Sequence, residues 1–159
     1  MVRTIEHPQV SWFLRRVGLE VDKKTFVTGQ PVYVTICISN TSPKAIVFSR
    51  SDEGWLWDYD FIVTTNHAQK VGHPSFAEKF IKERTNNGIT SYRGYNMPPA
   101  GIYLERDCIS AHYDLSAPGE YEIVAVYQVL GRTNMVPVRS GAIHIKIVTE
   151  EKPAKGGSP

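Results

Sequence analysis

The chain has 159 residues, 42% hydrophobic and 21% charged, which suits one globular domain with a real core. A net charge of +2 supplies no long-range field to recruit nucleic acid, and no run of about 18 apolar residues is available to span a membrane. Two cysteines, Cys37 and Cys108, are too few for a disulfide framework or a cysteine-rich zinc site.

The first eight residues lack the apolar stretch of a secretory leader. The compartment stays open, and would be secreted or periplasmic if a leader had been removed. Residues 1–17 hold a short apolar cluster around Trp12 and Phe13, followed by Arg15 and Arg16. They read as an N-terminal arm: a first strand or a segment tied down by Trp12, with an exposed aromatic arm for a partner as the sharper alternative. Residues 18–149 read as the folded domain, and 150–159, charged then rich in Gly, Ser and Pro, as a disordered tail.

Leu19 and Val21 share a face in a weak alternation over residues 18–22. Residues 23–30 then read as a turn, ending in Thr28-Gly29-Gln30-Pro31. The clearest strand follows. Val32, Val34, Ile36 and Ile38 point one way, and Tyr33, Thr35, Cys37 and Ser39 the other, with period 2 and β-branched enrichment. Residues 45–48 form a short strand and 50–54 a polar loop. From Trp55 to Thr64 the alternation returns, with Trp57, Tyr59, Phe61 and Val63 inward and Asp58 and Asp60 outward.

Residues 65–100 break this rhythm. Ser75 and Glu78 could form a capping box for a short helix over residues 75–84, stopped by Asn86-Asn87-Gly88. The aromatic, Pro/Gly-rich run from Ser91 to Gly101 reads as a loop, and an excursion this long is usually functional or mobile. Strands resume at 102–109, at 121–129 with apolar residues on both faces, and at 142–148 with Ile143, Ile145 and Ile147 inward. Pro137 must sit at a strand edge or bulge. Seven to eight strands with one long excursion that holds at most a short helix predict an all-β protein, an immunoglobulin-like antiparallel β-sandwich.

The chain is organised around residues 113–121. Leu115, Gly119 and Tyr121 are spaced as Leu-x-x-x-Gly-x-Tyr, where the chain crosses between sheets. Gly119 allows a positive φ, Pro118 sets the preceding turn, and Leu115 plugs the core. Tyr121 packs inward and can bond the backbone a few residues upstream, the tyrosine corner of such sandwiches. This run, with Gly29-Gln30-Pro31-Val32 and Ser140-Gly141-Ala142-Ile143, resembles bacterial immunoglobulin-like domains. The resemblance extends to the Bacillus-type intracellular proteinase inhibitors and to Ig-like regions accompanying secreted metallopeptidases. It covers roughly residues 18–148, with residues 65–100 outside the pattern, and speaks for fold far more than for function. No inhibitory residue carries over, because no reactive-loop motif matches.

Chemistry is sparse. There is no His-Glu-x-x-His, no Gly-x-Ser-x-Gly and no phosphate-binding glycine loop. His67 and His73 lie on the long excursion, near Asp58 and Asp60 in sequence; they read as solvated loop histidines, with a metal site as the alternative. No cofactor and no catalysis are expected. Cys37 and Cys108 both point outward; two free thiols is the default, but if their strands are neighbours a cross-strand disulfide becomes possible. Tyr92, Arg93, Tyr95, Met97 and Trp55 are the candidate binding residues, since aromatics dominate binding hot spots. The reading is a non-catalytic protein-binding or assembly module, partnered by another protein or by itself, that presents a long aromatic loop. The alternative is a proteinase inhibitor acting through an exposed loop, with residues 93–99 as the candidate.

Overall fold

The structure, a computed structural model, describes residues 15–51, 59–72, 92–127 and 137–150. Ten strands are present among them, in three sheets. Strands β1 (Arg15–Val21), β3 (Tyr33–Asn40) and β7 (Ile102–Cys108) form an antiparallel sheet in the order β1-β3-β7. Strands β2 (Thr25–Val27), β10 (Ile143–Val148), β8 (Gly119–Tyr127) and β5 (Tyr59–Thr65) form the second sheet in that order, and the short β9 (Val138–Arg139) also pairs with β8. Strands β4 (Ile46–Ser51) and β6 (Tyr92–Met97) form a two-stranded ribbon.

The two larger sheets face each other as an immunoglobulin-like sandwich. The apolar alternation of β3 does what its period requires: Val34, Ile36 and Ile38 are buried, and Tyr33, Thr35, Cys37 and Ser39 lie on the other face. Phe61 and Val63 of β5, Tyr121, Ile123 and Ala125 of β8, and Ile145 and Ile147 of β10 meet them from the second sheet. Each large aliphatic chain buried in this way contributes roughly 1.5–3 kcal/mol. A 3-10 turn, Ile109–Ala111, follows β7 and buries Ile109 at the end of this core.

Three expectations are corrected here. Residues 23–30 are not only a turn: Thr25–Val27 is strand β2, paired in parallel with Lys146, Ile147 and Val148. The chain thus changes sheets between β1 and β2, which lets Phe26 enter the core from the second sheet. The turn proper is Thr28-Gly29-Gln30, where Gly29 holds φ 81° and Gln30 N–H donates to the Val27 carbonyl. Residues 92–97 are not a loop but strand β6, in register with β4, so that the backbone of Ile46 pairs with that of Met97 and the backbone of Phe48 with that of Tyr95. That same register carries β4 on to Ser51, into the stretch expected to be a polar loop. The expected helix at 75–84, the arm through Leu14 and the tail from Glu151 lie outside the described residues, as does Trp55; β1 begins at Arg15, inside the segment assigned to the arm.

Candidate interaction surface

The crossing between the sheets is held by two tyrosines. The Tyr121 hydroxyl donates to the Ala117 carbonyl at 2.6 Å, which pins the chain just before β8. Burial is the main cause of the upward shift in its pKa, with the Asp114 charge adding to it. Leu115 is buried beneath this turn. Gly119, at φ 158°, is close to extended backbone, and a Cβ there would meet nothing within 4 Å. Tyr113 reaches further. Its hydroxyl oxygen lies 2.7 Å from the Phe61 carbonyl and 2.9 Å from Asp60 Oδ1, two acceptors for its single proton, and it accepts Phe61 N–H at 3.2 Å. Burial first, and then the Asp60 carboxylate, push its pKa far up, so it stays a neutral donor. The 113–121 stretch thus ties one end of β8 to β5.

A second anchor sits at the opposite turn. Asn40 is buried and its Nδ2 lies within 3.1 Å of the carbonyls of Lys44, Met97 and Pro98, while its Oδ1 accepts Ser42 N–H. One side chain therefore fixes the β3–β4 turn against the β6–β7 turn.

Strand β7 turns acidic residues toward the interior, in the phase that an outward Cys108 requires. Its register on β3 sets Tyr103 beside Ile38, Glu105 beside Ile36 and Asp107 beside Val34, which directs those three inward. Ile102 and Leu104 point outward and are 65% and 63% exposed. Asp107 is only 9% exposed; its Oδ1 accepts Cys108 N–H at 2.7 Å. Desolvation by burial, aided by Glu105 and opposed by the Cys108 bond, pushes its pKa up to about 6. His112 Nε2 lies 3.9 Å from Asp107 Oδ1.

The outer face of the β1-β3-β7 sheet follows from these registers. Arg16, Ser39 and Ile102 form one row across it, then Gly18, Cys37 and Leu104, then Glu20, Thr35 and Arg106. Tyr33 and Cys108 follow, with Arg106 Cζ 4.5 Å from the centroid of the Tyr33 ring and its guanidinium 2.6 Å from Asp22 Oδ2. The centre of this face is apolar and its flank is charged.

The candidate residues named from sequence fare unevenly. Tyr95 is 42% exposed on β6, and its ring centroid is 6.3 Å from that of Tyr103. Met97 is buried in the core, so its side chain has no surface to offer a partner. The backbone of Tyr92 and Arg93 belongs to β6, and their side chains lie outside the described residues. Cys37 and Cys108 are both free. Their strands are neighbours, but Cys37 pairs with Leu104 and Cys108 with Tyr33. Four residues of strand separate them, roughly 13 Å at about 3.3 Å per residue, beyond any disulfide. Among the described residues no group of three or more His, Cys, Asp or Glu could hold a metal ion. His67 is exposed, and His73 lies outside the described residues. On the opposite sheet a shallow open depression of about 570 Å³ is lined by Lys24, Glu122, His144 and Lys146, among others. His144 Nε2 there is 3.9 Å from Glu122 Oε2. Ile102 and Leu104 were missed in the sequence because outward apolar residues on a strand look the same as inward ones until the register is known.

The two facing sheets define an immunoglobulin-like β-sandwich. More particularly, the family model of flagellar collar protein C, N-terminal domain, matches residues 21–148, and the chain belongs to that family. The resemblance to proteinase inhibitors is thereby replaced by the wider one, to a sandwich domain. No curated protein matches the sequence. Similar solved structures include the CARDB domain of a Pyrococcus furiosus protein in complex with di-metal ions, at 9% identity and a TM-score of 0.43, covering 86% of this chain and 94% of that one. A solution structure of the same CARDB domain has 9% identity and a TM-score of 0.40, covering 86% and 98%. A Pseudomonas fluorescens alkylpurine DNA glycosylase bound to DNA containing an abasic site analog has 9% identity and a TM-score of 0.41 over 84% of this chain, which spans 30% of the glycosylase.

Proposed function

We propose that this domain is a non-catalytic assembly module of a flagellar collar, a rigid sandwich that docks protein subunits. The observation that carries the reading is the family match over residues 21–148. The architecture supports it. The interior is filled by side chains, and Leu104 and Ile102 stand exposed on a flat three-stranded face, where a monomer would rarely leave two large aliphatic residues together. Tyr95 adds an exposed aromatic on the β4–β6 ribbon. The inhibitor alternative loses its physical basis, because a reactive loop must be free to enter a cleft and most of residues 93–99 is strand β6, paired to β4.

The test is genetic and structural. Deleting the gene in its own host is expected to remove density from the flagellar collar, read by electron cryotomography. A complementing copy with Leu104→Arg is expected to fold and yet restore that density poorly. A normal collar in the deletion strain would sink the proposal.

A further inference from the structure

Resting on the assembly reading, we infer that the occupant of the β1-β3-β7 outer face is a second copy of the same face, related by a two-fold axis that runs parallel to β3. The argument is self-complementarity. Such an axis lays β1 of one copy over β7 of the other and β3 over β3. The registers then dictate the oppositions, with Arg16 on β1 over Ile102 on β7 in the first row. Leu104, 63% exposed on β7, comes over Gly18, the one outward position of β1 with no side chain. Glu20 on β1 comes over Arg106 on β7. Both pairings occur twice, as an isologous interface demands. Cys37 and Tyr33 lie on the middle strand and meet their own counterparts.

Shape and charge agree. Gly18 makes a trough in the β1 side of the face, floored by the Cys37 side chain: a Cβ at Gly18 would sit 3.4 Å from Cys37 Cβ. Leu104 makes a ridge on the β7 side. Sheets packed face to face need small residues opposite large ones to interdigitate, and this face carries both in one row. The anionic Glu20 and the cationic Arg106 occupy the next row, so the same superposition that seats the ridge also brings Glu20 of one copy to the Arg106–Asp22 pair of the other. The alternative two-fold, perpendicular to the strands, would stack Leu104 on Leu104 and leave Gly18 against Gly18.

The area sets the strength. Three strands spaced about 4.8 Å and four outward rows spaced about 6.8 Å give a geometric face of roughly 400 Å² per copy. Roughly 800 Å² for the pair lies below the range of stable dimers, so the contact is weak in isolation and gains from repeated presentation in an assembly.

Sedimentation equilibrium of the whole chain from about 10 μM to about 500 μM reads the outcome. The average mass is expected to rise from monomer toward dimer across this range. Leu104→Arg should hold it at the monomer, with an unchanged circular dichroism spectrum. Glu20→Arg and Arg106→Glu should each weaken association several-fold, and the double exchange should restore it. In a Cys108→Ser background, a short bismaleimide should cross-link the dimer through Cys37. A folded chain that stays monomeric at the top concentration overturns the inference, while the collar reading keeps its separate test in the deletion strain. Self-association that Leu104→Arg does not alter overturns it equally.

Discussion

Asp107 makes the sharpest thermodynamic claim. Its carboxyl sits under β3, 9% exposed, with Glu105 on the same strand and His112 Nε2 3.9 Å away. Its Tyr113 neighbour stays neutral. The folded protein holds the Asp107 proton up to about pH 6, against 3.8 for the ordinary carboxyl. In the unfolded chain the proton leaves first, so the folded state binds more protons between these values. The stability it confers is complete below pH 3.8 and is lost as pH rises through about 6. A shift of about 2 pH units corresponds to about 3 kcal/mol at most, and solvent at the exposed edge of the carboxylate reduces this to about 1–3 kcal/mol. Asp107→Asn keeps an oxygen for Cys108 N–H and removes the charge. The variant's stability minus that of the native protein should therefore climb by about 1–3 kcal/mol between pH 4 and pH 7. In thermal scans that is a relative gain of about 2–4 °C per kcal/mol for a chain of this size. Any fixed cost of placing an amide in the site shifts the whole curve and leaves its slope untouched. Urea titrations at half-unit pH steps, on both proteins, measure the slope. A difference that is flat from pH 4 to pH 7 would refute the assignment of a buried, raised carboxyl at this position.

The two tyrosine anchors should separate by burial. Tyr121→Phe loses one bond to the Ala117 carbonyl and should cost about 1 kcal/mol, with self-association retained. Tyr113→Phe removes a buried hydroxyl that serves both the Phe61 carbonyl and Asp60, while Phe61 N–H keeps its bond to Asp60 Oδ1, and should cost more, about 1–3 kcal/mol; equal costs in urea melts would contradict the geometry. Mass spectrometry of the chain, alkylated without prior reduction at low protein concentration, should find two modified cysteines. A disulfide between Cys37 and Cys108 would mean the β3–β7 register is wrong by about four residues.

The parts of the fold that were legible share a cause. Strands β3, β8 and β10 carry apolar residues at a strict period of 2 on a face buried by the opposite sheet, so their type and direction follow from the residues alone. The Tyr121 bond to the Ala117 carbonyl joins residues four apart, a span that sequence can reach, whereas Gly119 was expected to need a positive φ and is close to extended. What failed depends on pairing partners far away in sequence. Thr25–Val27 is too short to show a period, and becomes a strand only because β10 offers a parallel edge more than a hundred residues later. Residues 92–97 carry Gly94 and Asn96, which read as loop, and are held extended by β4. The expected binding set leaned on aromatic content, and the register of β6 sends Met97 inward. The roles of Tyr113 and Asn40 required knowing which distant carbonyls would lie beside them.

The two faces of β7 join the energetics to the docking. Among the described residues β7 pairs only with β3, and is the last strand in the order β1-β3-β7. A strand at the border of a sheet can invite another strand to add to it, and inward-pointing charges are one means by which sheets resist this. Glu105 and Asp107 occupy the inward positions here, and Asp107 makes the domain less stable above pH 6 than a neutral residue would. The same alternation that turns these carboxylates in must turn Ile102 and Leu104 out, because neighbouring side chains on a strand cannot share a face. A single register therefore disfavours pairing along the edge and supplies an apolar face. Association through side chains on that face has a defined geometry and stops at two copies, whereas strand addition along an open edge has no natural end. For a module that takes its place in an ordered assembly, a face that saturates is the safer contact, and a destabilising buried acid is consistent with maintaining it.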